Sequence, residues 1–363
     1  MNKKIDFIIV GQGLAGTLMA AQLILSGQKI LVIDDFHRSS SSLVAAGIIN
    51  PITGKRIVKS WLIDELLKSA FVTYKNLEIE LNCELLEPKN IIRTLPNAAD
   101  ENEWISRSVR EELAYFVEKN VSLDGWEAVV RPEFAYSEIL GARVDLSALI
   151  TKYREFLDQK NLLLEEKFDF ETLVIHSKSI SYKNIIADKI IFCEGQQVRF
   201  NPFFNYLPFE VTKGEIFEIK IPNFESNKIY KKNNILINQQ KNNNYWVGAG
   251  NYWNFQDDMP SESGYTDLVN LLAEILGVPY EIVHHKAAIR PSTKTRRPFL
   301  GKHPKYSNLL IFNGLGTKGT ALAPYFSAHL CDFVFDKKPL MQEVDIAKYD
   351  SIFWENLDRE KSA

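Results

Sequence analysis

FIIVGQGLAGTLMAAQLILSGQKILVID, residues 7–34, reads as strand, glycine turn, helix and strand. Phe7 to Val10 form a short apolar run, the pattern of a buried parallel strand. Gly11, Gly13 and Gly16 follow in G-x-G-x-x-G spacing. Leu14, Leu18, Ala21 and Leu25 then recur at helical spacing, and Gly27 ends the segment. Ile30 to Ile33 make a second apolar strand, closed by Asp34. In this pattern Gly11 allows the tight turn, Gly13 lets the backbone approach a pyrophosphate, and Gly16 lets the helix pack close to the sheet. The helix N-terminus offers free N–H groups and a positive dipole end. Asp34, about twenty residues beyond Gly11, places a carboxylate where it can accept hydrogen bonds from a ribose diol. An ordinary βαβ unit with packing glycines does not explain why glycines and acid fall in register. The stretch predicts a dinucleotide site.

The rest of the chain bounds the setting. Its 363 residues suit about two domains. At 45% hydrophobic and 25% charged it belongs to the globular class. A net charge of −3 provides no broad basic field for nucleic acid or an acidic membrane. Cys83, Cys193 and Cys331 are far apart, so neither a disulfide framework nor a metal site is expected, and a reducing, cytoplasmic location fits. Lys3 and Lys4 precede an apolar segment, but Asp6 and three glycines interrupt it, unlike a signal peptide. No other run reaches the ~18 apolar residues a transmembrane helix needs.

After Asp34 come the hydroxyls Ser39 to Ser42, then the small residues Ala45, Ala46 and Gly47, Ile48, Asn50 and the rigid Pro51. In this order the chain resembles the D-amino-acid oxidase and glycine oxidase (DAO) family of FAD-dependent oxidoreductases. The resemblance implies an α/β fold: a Rossmann-like FAD-binding domain of the glutathione-reductase type. Joined to it is a discontinuous α+β substrate domain built on a large mixed or antiparallel sheet. The expected division is 1–77, 141–205 and 286–363 for FAD, and 78–140 and 206–285 for substrate. The resemblance further implies that Ser41 and Ser42 contact the cofactor phosphates, and that Ala45, Ala46, Gly47 and Ile48 pass the flavin ring. Leu14, Ala15 and Asp35 join the glycines and Asp34 as cofactor contacts. Lys55, Arg56 and Lys59 are either a solvated face or the lining of a substrate entrance.

Between the informative ends, residues 62–82 read as an amphipathic helix with Leu62, Leu66, Ala70 and Tyr74 on one face. Glu87 to Tyr136 mixes short strands with a helix near Glu101 to Glu118. Asp145 is a good N-cap for a helix to about Leu157. Residues 162–193 alternate as strands, and Ile190 to Phe192 runs into Cys193, Glu194 and Gly195. In the family, a glycine after such a strand passes near the cofactor. Cys193 reads as a small buried residue. Leu207 to Trp253 is sheet-like, with 231–244 expected as an exposed hairpin region and Tyr252 and Trp253 as core, edge or substrate-facing aromatics. Residues 265–277 suit an amphipathic helix capped by Gly277.

The second informative stretch is 287–330. An apolar strand, Leu309 to Phe312, runs into Gly314-Leu315-Gly316-Thr317-Lys318-Gly319, and a helix begins near Thr320. The resemblance places this turn against the isoalloxazine, where backbone N–H groups and the dipole end would stabilise negative charge. Lys318 would either assist or be solvated. Arg290 precedes Pro291, and Pro298, Phe299, Leu300 and Gly301 match the family's following segment. In amino-acid oxidases this arginine holds the substrate carboxylate, for which its planar fork is suited; a structural salt bridge is the alternative. Arg290 and Lys318 are the candidate catalytic side chains. Two departures stand out. Lys294, Thr295, Arg296 and Arg297 occupy a turn where the family has an acid, and Thr317 beside Lys318 replaces the arginine of glycine oxidases. Ser292 and Thr293 stand where covalent-flavin relatives carry cysteine, so FAD is expected to be non-covalent.

The expected activity is oxidation of a C–N bond in a small amine or amino acid (glycine-, D-amino-acid- or sarcosine-like) by hydride transfer to flavin N5. Oxygen or a quinone would accept the electrons, and the oligomeric state is left open. No histidine forms a recognisable dyad; His284 and His285 read as structural. Two other readings remain. Gly-Leu-Gly-Thr-Lys-Gly is similar to the flavin domain of the bifunctional tRNA wobble-uridine enzyme, with Arg56, Lys294, Arg296, Arg297 and Lys318 as a local basic rim, although the net charge argues against a nucleic-acid partner. The third reading is a non-catalytic flavin-binding sensor or scaffold.

Overall fold

The Lys3–Val10 strand lies between two parallel neighbours, Ile30–Ile33 on one side and Ile185–Phe192 on the other. The computed structural model describes residues 3–36, 40–54 and 56–362, so Ser39 and Lys55 lie outside the described residues. Leu163–Leu164 continues the sheet beyond Ile30–Ile33, and Leu309–Asn313 pairs in parallel with the end of Ile185–Phe192. Phe299–Lys302 adds an antiparallel edge, and the hairpin strands Leu173–Ile175 and Ile180–Tyr182 pair beside the start of Ile185–Phe192. The chain leaves Lys3–Val10 to one side and returns on the other. That makes the carboxyl ends of these strands a topological switch point, where ligands bind in open α/β sheets. Ile8, Ile9, Ile190 and Ile191 are fully buried, as expected for strands covered on both faces.

On the side of the main core Leu14–Leu25 packs on this sheet, Gly319–Val334 packs on Leu14–Leu25, and Ile63–Leu81 packs on Gly319–Val334. Of the face expected on Ile63–Leu81, Leu66, Ala70 and Tyr74 are buried, joined by Ile63 and Leu77, while Leu62 is half-buried at the N-cap, outside the helix. Asp145 caps Leu146–Gln159 by accepting the Ala148 N–H at 3.1 Å.

A second sheet of eight strands is assembled from distant parts of the chain. Its order runs Glu281–Arg290, Thr212–Lys220, Tyr245–Gly248, Ile235–Gln239, Ile229–Lys232, Ile91–Leu95, Ala135–Ile139, Val117–Glu118. All pairs are antiparallel except Ile229–Lys232 with Ile91–Leu95. The helix Glu262–Ile275 covers one face through Leu268 and Leu272. The other face turns toward the nucleotide-type sheet through Ile216 and Trp246, which pack on Ala46.

Three sequence expectations are corrected. The helix placed near Glu101 to Glu118 is Ala98–Ser108, started by Asn97, whose side chain accepts the Asp100 N–H at 3.0 Å. It stops because Arg110 is extended, and the turn returns Leu113 and Phe116 to the core. The 231–244 piece is not an exposed hairpin region as a whole, since Ile235–Gln239 is an interior strand with Ile235 and Ile237 buried. Its period-2 isoleucines outweigh the polar composition. Gly277 does not cap its helix, because Glu262–Ile275 ends at Leu276, whose extended backbone leads into a bridge with Val130.

Candidate functional site

Two of the three glycines of the first turn are required by the chain's own packing. A Cβ on Gly16 would lie 1.8 Å from the Gly11 carbonyl oxygen, and one on Gly11 would lie 2.6 Å from the Cys193 carbonyl oxygen. Gly11 also has φ +94°, a left-handed conformation. Gly13 is open by comparison, with the Ser42 hydroxyl 3.2 Å from its would-be Cβ. The helix that starts here has Gly13 at its N-cap, no side-chain cap and no acidic residue in its first turn. Its positive end is therefore available to an anion. The Ser42 hydroxyl stands at that end, accepting the Leu14 N–H at 2.9 Å. Open glycine, uncapped dipole end and adjacent hydroxyl form a cradle that fits a pyrophosphate. Ala15, next in this turn, is buried.

Asp34 is held by three donors. Its carboxylate accepts the N–H groups of Gln12 and Phe36 and Nη1 of Arg154, each at 2.8 Å. A carboxylate has roughly four acceptor positions, so room for about one more donor remains. Arg154 also lies 4.9 Å over the Phe36 ring. Sequence reading missed Arg154, which comes from the Leu146–Gln159 helix and leaves no local signal. Asp35 lies next to Asp34 at the same strand end and is exposed.

Ser41 begins the short Ser41–Val44 helix; Ala45 is exposed and Ala46 buried. Gly47 has φ +73°, and a Cβ there would meet the Val144 carbonyl oxygen at 1.9 Å, so its smallness also serves a strand contact. Ile48 pairs with Arg143. The segment is tied to the second sheet by Trp246, whose indole N–H donates to the Val44 carbonyl at 2.8 Å.

Glu194 and Gly195 sit at the switch point. The Glu194 carboxylate accepts Nδ2 of Asn201 at 2.7 Å, yet burial pushes its pKa up to about 7. Cys193 is buried and its thiol is pushed well up by desolvation. Asn313 joins the two strand ends, donating to the Gly195 carbonyl at 2.9 Å and accepting the Gly314 N–H at 2.8 Å. The last glycine turn follows. A Cβ on Gly314 would lie 2.6 Å from Thr293 Cγ2, and Gly316 faces Ser292. Leu315 is buried, Thr317 is exposed, and Gly319 packs on Leu14, bringing the last helix against the first. Lys318 donates to the hydroxyls of Ser60 at 3.1 Å and Thr53 at 3.3 Å, and is thus tethered across the site. Partial burial, then Arg297 and Arg296, pull its ammonium below the ordinary lysine value.

Arg290 ends the Glu281–Arg290 strand, and the segment after it packs on the Gly314–Gly316 turn, where Gly316 donates to the Pro291 carbonyl. Its guanidinium donates to Asn251 Oδ1 and, at 3.3 Å, to the Gly250 carbonyl. Both partners are neutral, and among the described residues no ion pair involves Arg290. Burial lowers its pKa from the ordinary arginine value. Gly214, on the neighbouring strand, makes room for the guanidinium: a Cβ there would lie 2.1 Å from Nη2. An isolated glycine in an alternating strand is a signal for such an approach. The loop bearing Gly250 and Asn251 is fastened to Thr212–Lys220 by paired backbone bonds between Tyr252 and Lys213, both 2.9 Å. Buried Glu215 holds its far end, accepting Ser261 N–H and Oγ–H at 3.0 and 2.7 Å.

None of the remaining candidates hydrogen-bonds to the Arg290 side chain among the described residues. His285 faces Glu215 at 2.8 Å on the helix-covered side of the sheet, and His284 is exposed. Tyr252 donates to Asp267 at 2.9 Å, and Trp253 is exposed. In the basic turn, Arg297 lies 4.0 Å over the Trp61 ring, which stacks on Phe326 at 5.5 Å. Lys294, Arg296 and Arg56 are exposed, and Lys59 pairs with Asp64. No helix among the described residues is long and apolar enough to cross a membrane.

The family model described as FAD dependent oxidoreductase (DAO) matches residues 6–333. An uncharacterised oxidoreductase of Bacillus subtilis (YurR) is 23% identical over 377 residues, covering 95% of this chain and 98% of that protein. Glycine oxidase of Geobacillus kaustophilus shares the fold with TM-score 0.77 at 18% identity, covering 96% of this chain and 98% of its own. Iminodiacetate oxidase of Chelativorans sp. BNC1 does so with TM-score 0.75 at 20% identity, covering 93% and 98%.

Proposed function

The chain belongs to the DAO family of FAD-dependent oxidoreductases, and from that we propose that it oxidises a C–N bond in a small amine or amino acid bearing a carboxylate. The pyrophosphate would lie on the uncapped start of Leu14–Leu25 with Ser42, and the ring near the Gly314–Gly319 turn. When bound non-covalently, FAD supplies the hydride acceptor for the C–H beside nitrogen, and oxygen or a quinone takes the electrons onward. Residues 78–140 and 206–285 form the substrate part in this reading, the rest the cofactor part.

The observation that carries the proposal is Arg290: a half-buried guanidinium with no acidic partner among the described residues, held by Asn251 and Gly250 over Gly214. Burying an unpaired charge is costly, and a substrate carboxylate relieves that cost. Asn251 and Gly250 occupy part of the guanidinium fork and fix its plane, so the remaining N–H groups bind the carboxylate in one orientation. No side-chain base is needed, because the amine nitrogen supplies the electron pair as the C–H bond breaks. The test is an anaerobic screen of amino acids and N-methylglycines followed by flavin bleaching. Arg290→Ala should retain FAD and raise the substrate concentration needed for bleaching by at least about tenfold. Unchanged substrate affinity would remove Arg290 from this role.

A further inference from the structure

Lys231 and Arg93 are direct cross-strand partners in the parallel pair of the second sheet. Residues opposite one another share a face. The same row runs through Leu236, Gly248, Ile216 and Lys286. Ile216 and Leu236 belong to the cluster on Ala46, so this row faces the cofactor-binding part. Arg290, four residues along from Lys286 in a regular stretch, is on that face too.

Four other lysines in or beside the sheet are neutralised, while Lys220 at a strand end is exposed. Lys286 pairs with Glu218, Lys232 with Glu133 at 2.6 Å, Lys228 with Glu138 at 2.7 Å and Lys213 with Glu215 at 3.2 Å. Lys231 and Arg93 have no such partner among the described residues. Arg93 donates only to the Gly54 carbonyl, at 3.3 Å, and lies 5.9 Å over Trp104. Asp100 and Glu103 act on it from the helix Ala98–Ser108 without an ion pair, and Glu103 is engaged by Arg107 at 2.9 Å. Burial, then Arg93, pulls the Lys231 ammonium down to about 8. Gly54 adjoins Thr53, which tethers Lys318, so cations from the sheet and from the last glycine turn converge on one hairpin.

We propose that Lys231 and Arg93 form a second anion subsite on the Arg290 face, and that the substrate carries a second acidic group bound there. The inference rests on the proposed amine oxidation with Arg290 as first anchor. From Arg290 to Lys231 the backbone path is four strand spacings across and four residues along, roughly 23 Å at about 4.8 Å per strand and about 3.3 Å per residue. Two long side chains reaching inward shorten that span. The substrate class is therefore an amine or amino acid whose second acid lies on an extended arm, rather than a compact one such as glycine.

The test uses purified holoenzyme and redox-inert probes matched in length: hexanoate, octanoate and decanoate against adipate, suberate and sebacate, with binding read from perturbation of the flavin absorbance. One or more dicarboxylates should bind at least about tenfold tighter than the monocarboxylate of equal length. Lys231→Met and Arg93→Met should each erase that advantage and leave monocarboxylate affinity unchanged, while Arg290→Ala weakens both classes. Monocarboxylate binding that depends on Arg290, with no dicarboxylate advantage, would overturn this inference alone. Absence of any Arg290-dependent carboxylate binding would overturn it together with the first anchor. Slower oxidation of every amine in Lys231→Met, with the dicarboxylate advantage intact, would also overturn it and make Lys231 a proton acceptor instead.

Discussion

Tyr74 donates its hydroxyl to the Thr320 carbonyl at 2.8 Å, joining the helices Ile63–Leu81 and Gly319–Val334. Pro324 lies inside the second helix and has no N–H for the carbonyl four residues before it. The orphaned acceptor is thus satisfied from the neighbouring helix, within a turn of the glycine loop expected to hold the flavin ring. Tyr74→Phe should cost about 1–3 kcal/mol in urea unfolding, because a buried carbonyl loses its donor. Adding Pro324→Ala restores an N–H and should recover most of that loss; strictly additive losses would refute the pairing.

Gly214→Ala should fold, because the clash is with the far end of the Arg290 side chain, whose Nη2 lies 2.1 Å from the new Cβ position. The displaced guanidinium should weaken carboxylate binding nearly as much as Arg290→Ala does. Titration of the holoenzyme with a monocarboxylate checks this, and wild-type affinity in Gly214→Ala would count against the packing.

The first-turn glycines should separate in their effects. Gly16→Ala brings a methyl 1.8 Å from a backbone oxygen, which no side-chain rotation relieves, so loss of both FAD and the cooperative melt is expected. Gly13→Ala meets only the Ser42 hydroxyl at 3.2 Å, so the protein should fold while retaining less flavin. Flavin content per chain and the melting curve measure both. A stable, flavin-loaded Gly16→Ala would contradict the geometry.

His303 predicts an acid-side loss of stability. It is 3% exposed, and Nδ1 accepts the N–H groups of Lys305 and Tyr306 at 3.1 and 3.2 Å. Burial, then Lys305, lowers its pKa from 6.5 to about 4. Between those values the unfolded chain binds more protons, so this contribution is complete above about pH 6.5 and is lost as pH falls toward 4. In His303→Asn, whose side-chain oxygen can accept similar bonds, the dependence of Tm on pH over that window should flatten. An unchanged slope would place the dependence elsewhere.

What was legible in the sequence was local. Gly11 to Asp34 announces itself because turn, helix and acid are neighbours in the chain, and the same holds for Asp145 at its helix and for Gly314 to Gly319 after an apolar strand. What was missed depends on distant partners. Arg154 is meaningful only once the Leu146–Gln159 helix is laid beside Asp34. Gly214 is explained by a side chain from another strand, and Asn251 by the same guanidinium. Composition misled at 231–244, where asparagines at the turns obscured an interior strand. The helix near Glu101 was misplaced because Asn97, its true cap, was passed over for the charged run behind it.

The placement of Lys3–Val10 at the centre of its sheet has a cost during synthesis. One neighbour, Ile30–Ile33, emerges at once; the other, Ile185–Phe192, follows only after the chain's midpoint, and Leu309–Asn313 later still. At about 5–20 residues per second on a ribosome, the first strand waits on the order of ten seconds or more with an open apolar edge. An unpaired edge of this kind invites pairing with another chain. Nascent chains stalled before Phe192 are therefore the form of this protein most exposed to aggregation and most in need of a holding chaperone.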